Sequence, residues 1–427
     1  MGKLMLQVGE AVGCGREGIR GETLALMFMV WLFLSVLTPE VVYRTFFHLL
    51  IYPLVIYLLI RVKTFPDWND PFLRLFLVFC GYMAVSTWFV GSGPVSGDLQ
   101  ATRWGVEAAL GMLSFFAWMT LVVKRPEFWG RAFLGVALTG SAAGLVVSSL
   151  GGLEGTRSAG LGIMGHPIQG ASVAIVLMAV GVFLSIHKPD RPGMPDVFLI
   201  VTALVVTCVF VVMTKSRAPI GALMVYLVFL IFTLGSRYRP AVSLGLFAVG
   251  LVITLGVIHL IVDLPVLFDQ LTIRGDSYRL EIWKAYLTYP PESLVMGNGA
   301  GLDFSETEAS RLYLESMGLE IAHPHNIWLG VFVETGFIGV LMQLGLFVLP
   351  AWAVIKSSSE PVAKLHLFGL LSLFLMLTFT DEFSLLISLH PVWISGWIPL
   401  VFVWLWSRRK TPCRKDHSGL GQIGESL

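Results

Sequence analysis

The chain has 427 residues, of which 56% are hydrophobic and 13% charged, and its formal net charge is +1. With a mean hydropathy of +0.78, that balance excludes an ordinary soluble globular domain. The four cysteines, Cys14, Cys80, Cys208 and Cys413, sit at no metal or redox spacing, so no disulfide framework is expected.

In chain order, residues 1–22 lack the apolar core and small-residue cleavage site of a secretory signal and predict a cytoplasmic tail. Apolar stretches of roughly 20 residues follow, each long enough to cross a hydrocarbon core as a helix. They predict spans at 23–38, 41–60, 71–91, 104–123, 129–149, 167–186, 196–213, 218–235 and 240–261, then 325–355, 365–380 and 387–406. A β-barrel would show short alternating segments instead. The expected fold is therefore all-α: a polytopic membrane protein of about twelve helices. Residues 23–261 carry the first nine helices, 262–324 one large, partly helical outer loop, 325–406 the last three helices, and 407–427 a cytoplasmic tail.

The placement of charge orients this bundle, because loops facing the cytoplasm concentrate Lys and Arg. Lys3, Arg16, Arg20, Arg61, Lys63, Lys124, Arg125, Lys188, Arg191, Arg237, Arg239, Lys356, Lys364 and the final run from Arg408 to Lys415 all fall on one side. Both termini are thus expected in the cytoplasm. No nucleic-acid partner is expected; the bilayer itself is the surrounding phase.

On the outer side, residues 262–324 are too polar to span and too long for a simple turn. Asp276 and Ser277 can cap a helix through YRLEIWKAYLTY that must stop at Pro290 and Pro291. MGNGAGLDF predicts a turn, and a second polar helix is expected at 303–317.

Basic residues on this outer side are exceptions to the charge rule: Arg103, Arg157, Lys215, Arg217, Arg274, Arg279, Lys284 and Arg311. Arg103 and Arg311 read as ordinary interfacial side chains snorkelling to water. Lys215 and Arg217, in TKSRAPIGAL, occupy a connection so short that both belong at the membrane surface. Arg279 and Trp283 are one turn apart on the loop helix and share one side of it. Arg157 lies in the glycine-rich TRSAGLGIMGHP. A guanidinium engages phosphate oxygens bidentately and keeps its charge, so arginines converging here suit a lipid-linked diphosphate.

In AHPHNIWLGVFVETG, His323 and His325 flank Pro324 where the loop enters the tenth span, and the proline is expected in that helix's first turn. The helix dipole and nearby arginines disfavour imidazolium, so an imidazole here stays neutral and can serve as a general base. Asp276 is expected to fold the loop through a salt bridge with Arg274 or Arg279, while Asp381 and Glu382, in TFTDEFSLLISLHP, could orient an acceptor. No acidic cluster has metal-site spacing. With arginines neutralising a diphosphate, the chemistry is expected to need neither a metal nor another cofactor.

The span count, KSRAP, RGDSYRLEIWKAY continuing to GNGAG, and HPHNIWLGVFVETGFIG together resemble the O-antigen ligase and polymerase family of bacterial inner-membrane glycosyltransferases, most closely its ligase branch. The resemblance covers most of the chain. It implies an undecaprenyl diphosphate-linked glycan as donor, the lipid A core as acceptor, and a periplasmic active site. It also places the family's diphosphate-binding arginines on Arg217 and Arg279 and its loop-end histidine on His325, with His323 as the competing assignment. Substrate binding would extend to Arg157, Lys215, Arg274, Asp276, Trp283, His323, Asn326 and Asp381. One departure is Ala218, where the family often has glycine after Ser-Arg. A transporter of the same lipid is the alternative from another class, with Glu107 and Arg44 as its candidate deeper sites.

Overall fold

The computed structural model describes residues 16–61, 67–89, 97–150, 157–237, 278–315, 318, 323–380 and 389–409, with isolated positions between 245 and 259. Its helices are α1 (Arg16–Leu37), α2 (Glu40–Phe46), α3 (Tyr52–Arg61), α4 (Pro71–Phe89), α5 (Gly97–Lys124), α6 (Pro126–Leu150), α7 (Pro167–Ile186), α8 (Met194–Met213), α9 (Arg217–Arg237), α10 (Arg279–Thr288), α11 (Ile327–Lys356), α12 (Pro361–Thr380) and α13 (Ile398–Arg408). Four of them begin on proline, whose missing N–H costs nothing in a first turn.

Among the described residues, nine helices are long and apolar enough to cross a membrane. They coincide with nine of the predicted spans, α2 and α3 forming one of them through an intervening π-turn. The predicted first span corresponds to the shorter apolar helix Glu22–Leu37. The span expected at 240–261 lies almost wholly outside the described residues, and that expected at 387–406 is described only from 389.

Burial explains the arrangement. In α7, 89% of the apolar window is enclosed by protein, which is what a helix apolar on every side requires. Trp118 of α5 stacks on Phe28 of α1 at 4.5 Å and on Phe133 of α6 at 5.7 Å, tying the first helices into one aromatic core. At the bundle end rich in predicted cytoplasmic cations, Asp196 bridges Arg131 at 2.7 Å and Lys188 at 2.5 Å.

Helix α11 is broken at Gly336, whose φ of 61° and ψ of −161° are open in practice only to glycine. The glycine-rich turn docks into this break. Asn298 and Gly299 donate to the carbonyls of Val333 and Glu334 at 2.8 Å, while Phe337 and Ile338 donate back to Leu294 and Val295 at 2.9 and 3.2 Å. Glu334 Oε1 also accepts from the Gly301 N–H at 3.0 Å. This exchange satisfies the interrupted backbone about 10 Å along the helix, where lipid could not.

Two expectations for the outer loop need correcting. The described part of the stretch expected at 303–317, residues 303–315, is a 3₁₀ turn, Phe304–Glu306, followed by a π-turn, Ala309–Leu314, rather than a regular α-helix. Pro324 lies ahead of α11 instead of in its first turn, because Asn326 Oδ1 caps the helix by accepting from Trp328 and Leu329 N–H at 2.9 and 3.2 Å.

Candidate functional site

The loop helix α10 is short and runs out at Thr288 before Pro290, as expected. It is anchored by Ile282, Ala285 and Tyr286, which bury against Phe304, Ala309, Leu314 and Val333 in a small core separate from the main bundle. Tyr278 precedes it with φ 60°, and no side chain caps this start. The predicted caps Asp276 and Ser277 lie outside the described residues, as do Arg274, Asp381 and Glu382.

Trp283 ties that helix to two other parts of the chain. Its indole N–H donates to the Pro324 carbonyl at 3.1 Å, and its ring meets Phe379, near the end of α12, edge-on at 5.7 Å. Helix α12 packs antiparallel along α9: a Cβ added to Gly221 would lie 4.0 Å from Met376 Cε, and one on Gly369 would crowd Phe229. Arg217 starts α9 one turn before Gly221, so the beginning of α9 and the end of α12 occupy the same corner as Trp283. Arg279, one turn from Trp283, and the His323–His325 segment share that corner.

Arg157 belongs to the same end. Its Nε donates to the Thr214 carbonyl at 3.0 Å and its Nη2 to Ser216 Oγ at 2.5 Å, while Ser158 N–H bonds to the Met213 carbonyl at 3.1 Å. It thus braces the turn that presents Arg217. In that turn Lys215 is buried and Arg217 is exposed at the helix N-terminus, where the backbone dipole adds to its attraction for anions.

Only three described non-glycine residues have positive φ: Lys215 at 53°, Tyr278 at 60° and His325 at 51°. Each either precedes one of the expected basic residues or is the expected base itself. Such conformations cost about 1–2 kcal/mol per residue and concentrate where a site demands them.

The histidines show a shared local device. Proline has no N–H, so in a His-Pro-X sequence the first available donor is that of X. His325 N–H donates to His323 Nδ1 at 3.3 Å, and Val392 N–H to His390 Nδ1 at 3.4 Å. An accepting Nδ1 fixes the neutral tautomer with its proton on Nε2. Burial, then His325, His390 and His166, push His323 down to about 3.

His166, Gln169 and His390 were not singled out by sequence reasoning. The available signal was a dipeptide: His-Pro occurs at His166-Pro167, His323-Pro324 and His390-Pro391, each at the outer entry of a predicted span. Gln169, in the first turn of α7, contacts His390 Nε2 at 3.2 Å. The charges considered for a transporter have close partners within their own helices: Arg44 pairs with Glu40 at 2.5 Å, and Glu107 with Arg103 at 2.7 Å. Among the described residues, no group of three or more His, Cys, Asp or Glu side chains is placed to hold a metal ion.

Two comparisons with known proteins bear on the family. A family model described as O-antigen ligase matches residues 202–344, a stretch running from α8 through α9 and the outer loop into α11. An O-antigen ligase of Pseudomonas aeruginosa is 27% identical over 381 residues, covering 86% of this chain and 86% of its own.

Proposed function

Because this chain belongs to the O-antigen ligase family, we propose that it transfers O-antigen from undecaprenyl diphosphate to the lipid A core, at the periplasmic face of the bacterial inner membrane. The observation that carries the site assignment is the double contact of Trp283, which gathers the Arg279 helix, the His323–His325 segment and the α9–α12 corner carrying Arg217.

In this proposal Arg217 and Arg279 hold the diphosphate, and His325 removes the acceptor hydroxyl proton. The oxygen bonds to the anomeric carbon as the carbon–oxygen bond to phosphate breaks, and the departing electron pair adds to diphosphate charge that the guanidinium groups stabilise. A single displacement inverts the anomeric centre. The preference for His325 over His323 rests on the fixed tautomer: His323 has its Nδ1 lone pair engaged and its Nε2 protonated. Its basicity, at about 3, also lies far below the optimum for a base working near neutrality. His323 then serves as an uncharged donor beside the base. General-base action contributes about 10²- to 10⁴-fold, so positioning and charge stabilisation must provide the rest.

Arg279→Ala tests the proposal. The variant, shown to be folded in membranes, is expected to leave O-antigen on its carrier lipid and an uncapped core. Normal amounts of capped lipopolysaccharide would overturn the phosphate-binding role.

A further inference from the structure

Gln169 and His390 stand beside the residues assigned above, and their geometry determines which way the amide faces. Since His390 Nδ1 accepts the Val392 N–H, its neutral ring carries the proton on Nε2, the atom 3.2 Å from the Gln169 amide. Two N–H groups cannot face each other at that distance. The interchangeable ends of the amide are therefore set with oxygen toward His390. That leaves the two N–H donors of Gln169, a half-buried residue, directed away from His390, on the first turn of a helix whose preceding residue His166 is exposed. His390 is half-buried and has its other nitrogen engaged, so the orientation is set from behind.

We infer that Gln169 is a further substrate-contacting residue, and that His390 is the positioning residue that turns its amide toward the mouth of the site. The ligand it takes is an oxygen acceptor: a diphosphate oxygen of the donor or a sugar hydroxyl of the acceptor. The inference rests on the transfer reaction proposed above and extends its binding surface to α7 and the segment before α13.

The test uses the purified full-length protein in nanodiscs, with a polyprenyl diphosphate-linked glycan and a lipid A core acceptor. Gln169→Leu is expected to raise KM for one of the two substrates by about 2- to 13-fold, the loss of one hydrogen bond, and the affected substrate identifies the oxygen source. His390→Phe should raise the same KM, the double variant should be no worse than Gln169→Leu, and His390→Gln, which can restore a donor toward Gln169, should recover most of the loss. Unchanged KM values in Gln169→Leu, or effects that multiply in the double variant, would overturn the inference. If His390→Phe does not fold, Gln169→Glu decides: it keeps an acceptor for His390 but loses the N–H donors, and full activity would reject the role. Transfer that survives Arg279→Ala alongside a raised KM in Gln169→Leu would sink the arginine clamp and spare Gln169; the reverse pattern would do the opposite.

Discussion

Trp283 can be tested by removing its two contacts in turn. Trp283→Phe keeps an aromatic ring against Phe379 but deletes the indole N–H that reaches the Pro324 carbonyl at 3.1 Å. One net hydrogen bond is worth about 0.5–1.5 kcal/mol. If the loss is felt in the transition state, where His325 must be aligned, kcat/KM falls by about 2- to 13-fold. Trp283→Ala also removes the edge-on contact with Phe379, worth a further ~0.5–1.5 kcal/mol before any loss of apolar burial. Together these predict a fall of about 5- to 160-fold. The assay is steady-state transfer by purified protein, with the folded fraction measured by gel filtration in detergent. The reasoning is refuted if both variants, equally folded, retain wild-type kcat/KM, since α10 would then be positioned without its tryptophan.

The two loop histidines should separate cleanly: His325→Gln is expected to lose at least about 100-fold in kcat, the lower range for a general base, while His323→Gln should lose far less, and equal losses in the two would reject the tautomer argument. Gly336→Ala should reduce the yield of folded protein, because an added Cβ would sit 2.4 Å from the Val295 carbonyl carbon at a φ of 61°; a normal thermal transition for this variant in detergent would show that the break in α11 is adaptable. Acid should loosen the outer cluster. His323 has a folded-state value near 3, below the ordinary 6.5, so the unfolded chain binds more protons between roughly pH 6.5 and 3 and stability falls as pH drops through that window. His323→Gln should flatten the slope of melting temperature against pH, and an unchanged slope would count against the half-buried, neutral imidazole.

Much of the architecture was legible in the sequence because a bilayer imposes one-dimensional rules. A helix must be long and apolar enough to span, and Lys and Arg mark one side; both conditions are local in the chain. The outer loop was harder, since a polar segment has no such constraint. Its 303–317 stretch carries helical pattern, yet burial of Phe304, Ala309 and Leu314 against α10 sets a 3₁₀ turn and a π-turn there instead. The role of Asn326 was similarly hidden. A helix cap is a hydrogen bond to two N–H groups, and residue type alone does not distinguish it from a ligand contact.

Residue chemistry was also readable: arginines on the side that should lack them, and an imidazole at a helix entry. Which of them meet was not. That depends on pairings across long separations, such as Trp283 with Phe379 and Pro324, or Gln169 with His390. Composition and periodicity constrain each helix separately, whereas the corner where α9, α10, α11 and α12 gather is produced by packing between them. The choice between His323 and His325 shows the division most sharply, because both carry the same side chain and only the backbone turn at Pro324 decides which ring nitrogen is already engaged.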